Sequence, residues 1–307
     1  MISIVIPNYN GAENLKNNLP KLLDSVRDIK SFEIIISDDA STDGSLKVLE
    51  EFAQKNPRTK VVIIKNEQNK GFSTNVNRGF LKASGDIVVL LNTDAYPKSN
   101  FLDAVMKDFE DKDVFAVGFM DESIENGKIV PRGRGIGEWK RGFLSHSAGD
   151  LNFKNNLWAS GGSSGFRKSI WDKLDGLNTI YNPFYWEDID ISYRALRSGY
   201  KILFEKNAVV VHEHEKGVIK NKFSASKIKT VAFRNQFVFV WINASGKLVI
   251  SNLLWLPYNM LKSLRSGNLE FFSGFFKFLL LLPKVLSSRS KVQKVFVKKD
   301  SEVIITK

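Results

Sequence analysis

Acidic side chains occur at two places in the chain where their spacing suits chemistry on phosphate or hydroxyl groups. The first is Leu90–Pro97 (LLNTDAYP), where an apolar run ends in Asn92, Thr93 and Asp94. A site for a metal-bound phosphate would be expected to have two carboxylates spaced Asp-x-Asp, since hard cations prefer oxygen ligands. Only Asp94 is present, so this segment is compatible with a working metal site, a degraded one or an ordinary turn.

The second place is Pro183–Arg194 (PFYWEDIDISYR), where Glu187, Asp188 and Asp190 follow three aromatic residues and begin a predicted helix. Acids at a helix N-terminus can simply cap N–H groups and complement the helix dipole. Three acids behind an aromatic cluster are harder to explain by capping. Aromatic walls can hold a carboxylate at the pKa of a general base, and their faces suit sugar rings.

Histidine is scarce, with His146, His212 and His214 only. A lone histidine is most often structural. His212, however, ends the apolar segment AVVVH and could therefore reach the same edge of a sheet as Asp94. An imidazole there could complete a metal site.

The elements that would position these residues alternate between two periodicities. Helical spacing, as in Leu15, Leu19 and Leu22, separates short β-rich runs, and this alternation indicates βαβ units and a mainly parallel sheet. The predicted strands are Ile2–Ile6, Phe32–Ser37, Val61–Lys65, Ile87–Leu91 and Val114–Phe119.

Polar and small residues follow four of these strands. They are Pro7–Asn10, Asp38–Asp39, Asn66–Gly71 and Asn92–Asp94. Because ligands of such sheets bind outside the carboxyl ends of the strands, we expect the four segments to meet at one rim. The Gly-, Arg- and Asn-rich residues Asp121–Asn156 lack periodicity and are expected to form a loop over that rim.

The sequence excludes several kinds of site and argues against several classes of protein. The chain has 307 residues and no cysteine, which excludes disulfides, zinc–thiolate sites and thiol nucleophiles. No G-x-x-x-x-G-K-[ST] loop is present, and the first strand is followed by PNYNG instead of G-x-G-x-x-G. The hydrolase-like GGSSG at Gly161–Gly165 has a spacing common in ordinary Gly/Ser loops.

The C-terminal part of the chain differs in character. Residues 216–307 carry 17 Lys/Arg and three Asp/Glu, a net charge of +14, so residues 1–215 carry −2 of the chain's net charge of +12. Its apolar runs Leu248–Leu261 and Leu269–Leu286 are interrupted by polar residues and proline, which argues against spanning helices. Lysine-flanked interfacial helices fit better, with packing on the body as the alternative.

Together, IVIPNYNG, Ser37–Ser45, Asn69–Phe80, LLNTDA and FYWEDIDISYRALRSGY resemble the inverting family-2 glycosyltransferases with the GT-A fold, in their rhamnosyltransferase-like branch of bacterial surface-polysaccharide enzymes. The resemblance implies an α/β fold: a Rossmann-like, mainly parallel central sheet flanked by helices. Residues 1–222 would be the catalytic domain, with a nucleotide-binding half at about 1–120 and an acceptor half at about 121–222. Residues 223–307 would be a helical, basic, amphipathic, membrane-associating extension.

The resemblance also implies roles for individual residues. Contacts with the nucleotide are expected from Pro7, Tyr9, Asn10, Asp38, Asp39, Gly71, Asn77, Asn92 and Thr93. A divalent cation, Mn²⁺ or Mg²⁺, would be held by Asp94 and by His212 or the nearby His214. Asp188 would be the base, with Glu187 in support. Weaker contacts with the donor sugar or acceptor are expected from Trp158, Gly161, Gly162, Trp186 and Asp190.

The implied activity is metal-assisted, inverting single displacement, in which a sugar passes from a nucleotide-diphosphate sugar to a hydroxyl of a glycan or lipid-linked acceptor. With one carboxylate in the metal motif, the cation should bind poorly alone and well with the nucleotide. The expected setting is the inner face of the cytoplasmic membrane, without nucleic acid as a partner. An inactive GT-A scaffold subunit and a nucleotidyltransferase are the alternatives.

Overall fold

The computed structural model describes residues 1–125, 127–212 and 222–306. Its N-terminal half is built from βαβ units. Strands β1 (Ile2–Asn8), β2 (Phe32–Asp38), β3 (Lys60–Lys65) and β4 (Ile87–Leu91) are parallel in the order β3-β2-β1-β4. Helices α1 (Ala12–Ser25), α2 (Ser45–Lys55) and α3 (Phe72–Lys82) connect them. The strands are runs of β-branched residues, and those of β1, β2 and β4 are almost wholly buried.

The second half of the sheet mixes strand directions. β10 (Ser163–Arg167) runs antiparallel between β4 and β6 (Val114–Glu125), and β6 is parallel to β11 (Lys201–His212). The short β5 (Ala95–Pro97) pairs with the end of β11, which places His212 opposite Ala95. This register brings the last residue of β11 next to the segment that follows β4. Helices α4 (Phe101–Asp108), α5 (Lys168–Lys173) and α6 (Glu187–Arg197) complete this half.

The expectation of a loop over Asp121–Asn156 was wrong. Strand β6 continues to Glu125 and pairs with β7 (Lys128–Arg132), and β8 (Gly135–Lys140) pairs with β9 (Phe143–Ala148). Glycines interrupt the alternation of apolar and polar residues that would have predicted these strands. They are required by packing, since a Cβ on Gly135 would lie 2.0 Å from the Trp158 ring. These residues are therefore ordered by hairpin pairing and, at Gly135, by a contact with a residue distant in sequence.

The C-terminal residues form three long helices, α7 (Ala225–Asn243), α8 (Gly246–Arg265) and α9 (Leu269–Val292), and the short α10 (Asp300–Val303). The buried side of α7 (Phe237–Val240) belongs to the same hydrophobic cluster as Phe166 and Trp171 of the body. Phe278 of α9 packs on Phe237. The alternative of packing on the body therefore holds for one side of α9, which contains the second apolar run, and α7, which lies outside both runs, packs on the body as well. No helix among residues 1–125, 127–212 and 222–306 is long and apolar enough to cross a membrane.

Candidate active site

A cavity of about 360 Å³ opens at the carboxyl ends of the strands, where the sequence predicts the rim. It is lined by segments after β1, β2 and β4, by the start of α6 and by the end of β11. Twelve predicted site residues line it: Pro7, Tyr9, Asp39, Gly71, Asn92, Thr93, Asp94, Gly161, Gly162, Glu187, Asp188 and His212.

One end of the cavity is shaped by Asp39 and Tyr9. Asp39 accepts hydrogen bonds from the backbone N–H groups of Lys70 (3.0 Å) and Gly71 (2.9 Å), and from the side chain of Asn66 (3.0 Å). These bonds attach the loop before α3 to the end of β2. Lys222 places its ammonium 3.8 Å from the centre of the Tyr9 ring and also lines the cavity. This end therefore combines an aromatic face, a carboxylate and a cation.

Asp94 and His212 meet deeper in the cavity. The Nε2 atom of His212 lies 3.0 Å from Oδ1 of Asp94, and its Nδ1 atom lies 2.8 Å from Oδ2 of Asp121. Asp121 also accepts a hydrogen bond of 2.7 Å from the hydroxyl of Ser123. Burial by itself lowers the pKa of His212, but the hydrogen bonds with Asp121 and Asp94 outweigh it and raise that pKa to about 9.

This arrangement fits a divalent cation. A carboxylate oxygen and an imidazole nitrogen are ligand types that such cations accept, and a carboxylate on the second ring nitrogen is the common way to orient a metal-binding histidine. Among the described residues, no group of three or more His, Asp or Glu could hold a metal by itself. His214 lies outside the described residues.

Gly162 allows the metal-site residues to come close together. A Cβ there would lie 2.9 Å from Nδ2 of Asn92 and 3.1 Å from Cε1 of His212. The carbonyl of Gly162 accepts a hydrogen bond of 3.0 Å from the backbone N–H of Asn92. Any side chain at this position would therefore displace either the amide or the imidazole.

Glu187 and Asp188 face the cavity at the first turn of α6. Asp188 accepts hydrogen bonds from the backbone N–H groups of Gly161 (3.2 Å) and Ile189 (2.8 Å). Burial raises the pKa of Asp188, and these bonds act against that rise. Glu187 is buried, its Oε2 has no hydrogen-bond partner in the described chain, and burial and the neighbouring Asp188 raise its pKa to about 8. Asp188 is therefore the better stabilised anion of the pair.

The segment before these acids has unusual backbone geometry. Tyr185 and Trp186 have φ angles of 72° and 77°, a region that non-glycine residues rarely adopt. The side-chain amide of Asn235, on α7, lies 2.8–2.9 Å from the carbonyl oxygens of Tyr181, Phe184 and Tyr185. Asn235 thus joins α7 to the segment that delivers Glu187 and Asp188.

Six predicted site residues lie outside the cavity lining: Asn10, Asp38, Asn77, Trp158, Trp186 and Asp190. Asn77 uses both ends of its amide on the backbone of Leu177 (2.7 and 2.9 Å), so the structure does not bring it to the predicted nucleotide contact. Asp190 is fully buried and accepts hydrogen bonds from Tyr181, Arg194 and Asn243.

The other four residues lie just behind the lining. Asp38 accepts from the amide of Asn8 (2.6 Å), and the Asn10 side chain accepts from Thr42 N–H (2.7 Å). The rings of Trp158 and Trp186 lie 5.2 and 5.3 Å from His146. Of these partners, only Asn8 lines the cavity.

Sequence reasoning missed Asp121, Lys222 and Asn235 as site residues. Asp121 stands in a segment without periodicity, and Asn235 is a single amide within an apolar helix. The only available signal was the residue type. A carboxylate just after a predicted strand and an amide within an apolar helix are both polar groups that need a hydrogen-bond partner when buried.

A family model described as glycosyl transferase family 2 matches residues 3–175. The match covers more than half of the chain, and the chain belongs to that family. It is 28% identical over 128 residues to the dolichol-phosphate mannosyltransferase of Pyrococcus furiosus, covering 42% of this chain but only 35% of that protein. It is 28% identical over 235 residues to the glycosyltransferase GlyG of Streptococcus pneumoniae serotype 4, covering 74% and 75% of the two chains.

The fold is also that of solved glycosyltransferases. The mannosyltransferase PcManGT from Pyrobaculum calidifontis, solved in complex with GDP-Man and Mn²⁺, matches with a TM-score of 0.60 and 15% identity, covering 91% of this chain and 86% of that one. The predicted α/β GT-A fold with C-terminal helices is confirmed. The rhamnosyltransferase-like branch stays a prediction.

Proposed function

We propose that the protein transfers a sugar from a nucleotide-diphosphate sugar to a hydroxyl group, with inversion at the anomeric carbon. The observation that carries this proposal is that the pairs Asp94–His212 and Glu187–Asp188 open on the same cavity. One pair suits a diphosphate and its cation, and the other suits the activation of a hydroxyl. Tyr9 and Asp39, at the other end, would hold the nucleotide.

In the proposed reaction Asp188 accepts the proton of the acceptor hydroxyl. The freed oxygen forms a bond to the anomeric carbon on the face opposite the diphosphate, and the bond from that carbon to the phosphate oxygen breaks. The electron pair of the broken bond leaves with the nucleoside diphosphate. Because one carboxylate acts as base and no covalent sugar–enzyme intermediate forms, the configuration at the anomeric carbon is inverted.

The residues Asp94 and His212 would hold the divalent cation, as Mn²⁺ or Mg²⁺. When bound, the cation supplies positive charge for the departing diphosphate. Asp121 keeps the His212 ring oriented, and Gly162 keeps the space beside it open. The ion in the solved PcManGT complex supports the same choice of cation class.

A lipid-linked acceptor is supported by the relatives whose names include dolichol-phosphate and undecaprenyl-phosphate transferases. The C-terminal helices add an exposed apolar surface, which we call the apolar face. It consists of Ile250, Leu253, Leu254, Trp255, Tyr258, Leu261 and Leu264 on α8 and of Phe276, Leu279, Leu280 and Leu286 on α9.

We infer that the apolar face lies on the inner surface of the cytoplasmic membrane. Exposed lysines and arginines, including Lys262, Arg265 and Lys277, stand beside it and complement anionic lipids. Peripheral contact of this kind would keep the active site near a lipid-linked acceptor.

The donor is tested by titrating nucleotide-diphosphate sugars against the protein by calorimetry, with and without Mn²⁺, followed by product analysis with lipid-linked acceptors. The anomeric configuration of the product, read from its NMR coupling constants, tests inversion. A retained configuration would contradict the mechanism, and the absence of binding by any donor would contradict transfer itself and favour the scaffold alternative.

A further inference from the structure

A second cavity, of about 640 Å³, lies between α9 and the segment 178–182. We call it the Arg234 pocket. The segment between the two cavities is thin, since Asn182 lines the Arg234 pocket and the next residue, Pro183, lines the active site. The proposed transfer reaction makes no use of this second cavity.

The chemistry of the Arg234 pocket is cationic and rich in hydrogen-bond donors. It is lined by Arg234 from α7 and Lys284 from α9, and none of its lining residues in the described chain is acidic. Hydroxyl and amide groups complete the polar part: Asn178, Thr179, Asn182, Ser287 and Ser288. Two cations with several donors and no carboxylate are the requirements for binding a phosphate group.

Arg234 is held in place by neutral hydrogen-bond acceptors, and no described carboxylate pairs with it. Its Nη2 atom donates to the carbonyl oxygens of Tyr181 (3.1 Å) and Asn182 (2.7 Å), and its Nε atom donates to the side chain of Asn235 (2.8 Å). Its Nη1 atom has no hydrogen-bond partner in the part of the chain that the structure describes, and neither Arg234 nor Lys284 forms an ion pair there. The guanidinium is therefore preorganised, with one donor group unused.

Partial burial makes this unpaired cation costly. Burial lowers the pKa of Arg234, which shows that its surroundings disfavour positive charge. Lys284 brings a second positive charge to the same cavity. A bound anion would offset both charges and use the free Nη1 donor.

The position of the pocket makes a lipid headgroup one source of its ligand. It borders the apolar face, since Leu280, which is 82% exposed, directly precedes the lining residue Leu281 on α9. If the apolar face lies on a membrane, the pocket is at the depth of lipid headgroups, where basic pockets bind phosphates.

We propose that the Arg234 pocket is a binding site for a phosphate group, supplied by the headgroup of an anionic lipid or by a soluble phosphate compound. In it, the Nη1 of Arg234 and the ammonium of Lys284 bind the phosphate oxygens, and the hydroxyls of Ser287 and Ser288 donate further hydrogen bonds.

The test compares two lysines of α9. Lys284→Gln removes a lining cation, and Lys277→Gln removes an equal charge seven residues earlier on the same exposed side of the helix, outside the cavity. Both side chains are exposed, so both variants should fold. Calorimetric titration with inorganic phosphate should show binding to the wild type and to Lys277→Gln, and a loss of about tenfold in affinity for Lys284→Gln. Equal phosphate affinity in the two variants, or none in the wild type, overturns the proposal.

A vesicle arm distinguishes the two sources. Sedimentation with phosphatidylcholine vesicles, with and without phosphatidylglycerol, is measured for the same three proteins. A larger loss of phosphatidylglycerol-dependent binding in Lys284→Gln than in Lys277→Gln supports the lipid headgroup. Equal losses, with the phosphate titration still selective for Lys284, support a soluble phosphate ligand. Phosphate bound at the active site would not depend on Lys284, so failure of the proposed function is distinguishable from failure of this site.

Discussion

Asp188 and Glu187 are neighbours in one small volume but differ in their hydrogen bonds. Asp188 receives backbone N–H bonds from Gly161 and Ile189, and backbone N–H groups also donate to Glu187, but Oε2 of Glu187 has no hydrogen-bond partner among the described residues. A carboxylate that must act as base has to be ionised, and the two N–H groups favour that state. The neutral form of Glu187, with its pKa at about 8, avoids a second negative charge beside the base at neutral pH.

We therefore expect Asp188→Asn to reduce kcat by about 10²- to 10⁴-fold, the usual contribution of a positioned base. The donor should bind to Asp188→Asn with near wild-type affinity, because in the proposed reaction this residue contacts the acceptor hydroxyl and not the donor. Initial rates and calorimetric donor binding check the two parts. Asp172→Asn, at an exposed position on α5, is the control and should leave the rate unchanged. Full activity of Asp188→Asn would contradict its role as base.

In the proposed metal site, Asp121 acts through His212. Because Asp121 holds the Nδ1 side of the ring, Nε2 faces Asp94. Asp121→Asn should weaken Mn²⁺ binding in the presence of nucleoside diphosphate by about 10- to 100-fold, the effect typical of residues that orient a metal ligand. Mn²⁺ binding, followed by electron paramagnetic resonance, should be weak without nucleotide and strong with it.

The matched control is Glu122→Gln, at the next position of β6. Its carboxylate pairs with Lys98 (2.7 Å), whereas His212 is bound by the carboxylate of Asp121. Equal losses of Mn²⁺ affinity in both variants would show that net charge, and not the orientation of His212, is responsible. Tight binding of Mn²⁺ in the absence of nucleotide would contradict the shared-ligand site.

At the scale of elements, α7 is part of the active-site scaffold. Its Asn235 is fully buried and reaches three carbonyls of the segment that carries the strained Tyr185 and Trp186. Removing the amide leaves these buried carbonyls without that donor, at a cost of about 1–3 kcal/mol for an unsatisfied group. Asn235→Ala should therefore lower the free energy of unfolding by about 2–4 kcal/mol and reduce kcat, since the Glu187–Asp188 turn is no longer held.

Urea unfolding and steady-state kinetics measure the two effects. Asn17→Ala, which removes an exposed amide on α1, is the control and should change the unfolding free energy by less than about 0.5 kcal/mol. An Asn235→Ala protein with wild-type stability and rate would show that α7 does not hold the segment.

The buried carboxylate of Glu33 connects the three strands β1, β2 and β3. Glu33 on β2 accepts hydrogen bonds from Ser3 (2.6 Å) on β1 and from the backbone N–H of Ser84 (2.7 Å), and pairs with Lys60 (2.6 Å) on β3. Burial alone raises the pKa of Glu33, but the bonds from Lys60, Ser3 and Ser84 outweigh it and lower the pKa to about 2.

Because the folded-state pKa is below the unfolded one, ionised Glu33 stabilises the fold above pH ~4.5, and this contribution disappears as the pH falls toward 2. The loss over this window should be on the order of 3 kcal/mol. Urea unfolding at several pH values should show a shallower acid dependence for Glu33→Gln than for the wild type. Glu50→Gln, an exposed partner of Lys65, should retain the wild-type slope. Parallel curves for Glu33→Gln and the wild type would contradict this assignment.

Across the whole molecule, the parts that could be predicted from sequence are those whose structure is determined by residues close together in the chain. The strands β1, β2 and β4 were predicted nearly to the residue because their β-branched runs are buried along their whole length. The convergence of Asp39 and Asp94 followed from the geometry of parallel strands. Nothing local, however, indicates that Asp121 meets His212 or that Asn235 meets Phe184, because these pairs are formed by tertiary packing. The Gly-rich strand β8 was not predicted for the same reason, since its Gly135 and Gly137 are required by the close approach of Trp158 and Leu157.

The predicted division of the chain at residue 223, into a catalytic domain and a membrane-associating extension, decides how membrane contact can be tested. Truncation near Phe223 would remove α7, whose Phe237–Val240 side is in the shared core, so it would test folding rather than membrane contact. The membrane proposal is better tested on the apolar face itself. Leu254 and Leu280 are 76% and 82% exposed, and Leu81 on α3, at 79%, offers a matched leucine away from these helices.

The double variant Leu254→Gln/Leu280→Gln should lose binding to vesicles that contain phosphatidylglycerol, because two large apolar side chains are no longer available to be buried in the lipid. Burial of a leucine contributes about 1.5–3 kcal/mol, so even partial insertion predicts a loss of at least tenfold in partition coefficient. Vesicle sedimentation measures it, and Leu81→Gln should partition like the wild type. Transfer to a short, water-soluble acceptor should be unaffected, because neither leucine lines the active-site cavity. If the double variant and Leu81→Gln partition equally, α8 and α9 do not form the membrane contact, and their exposed leucines require another partner.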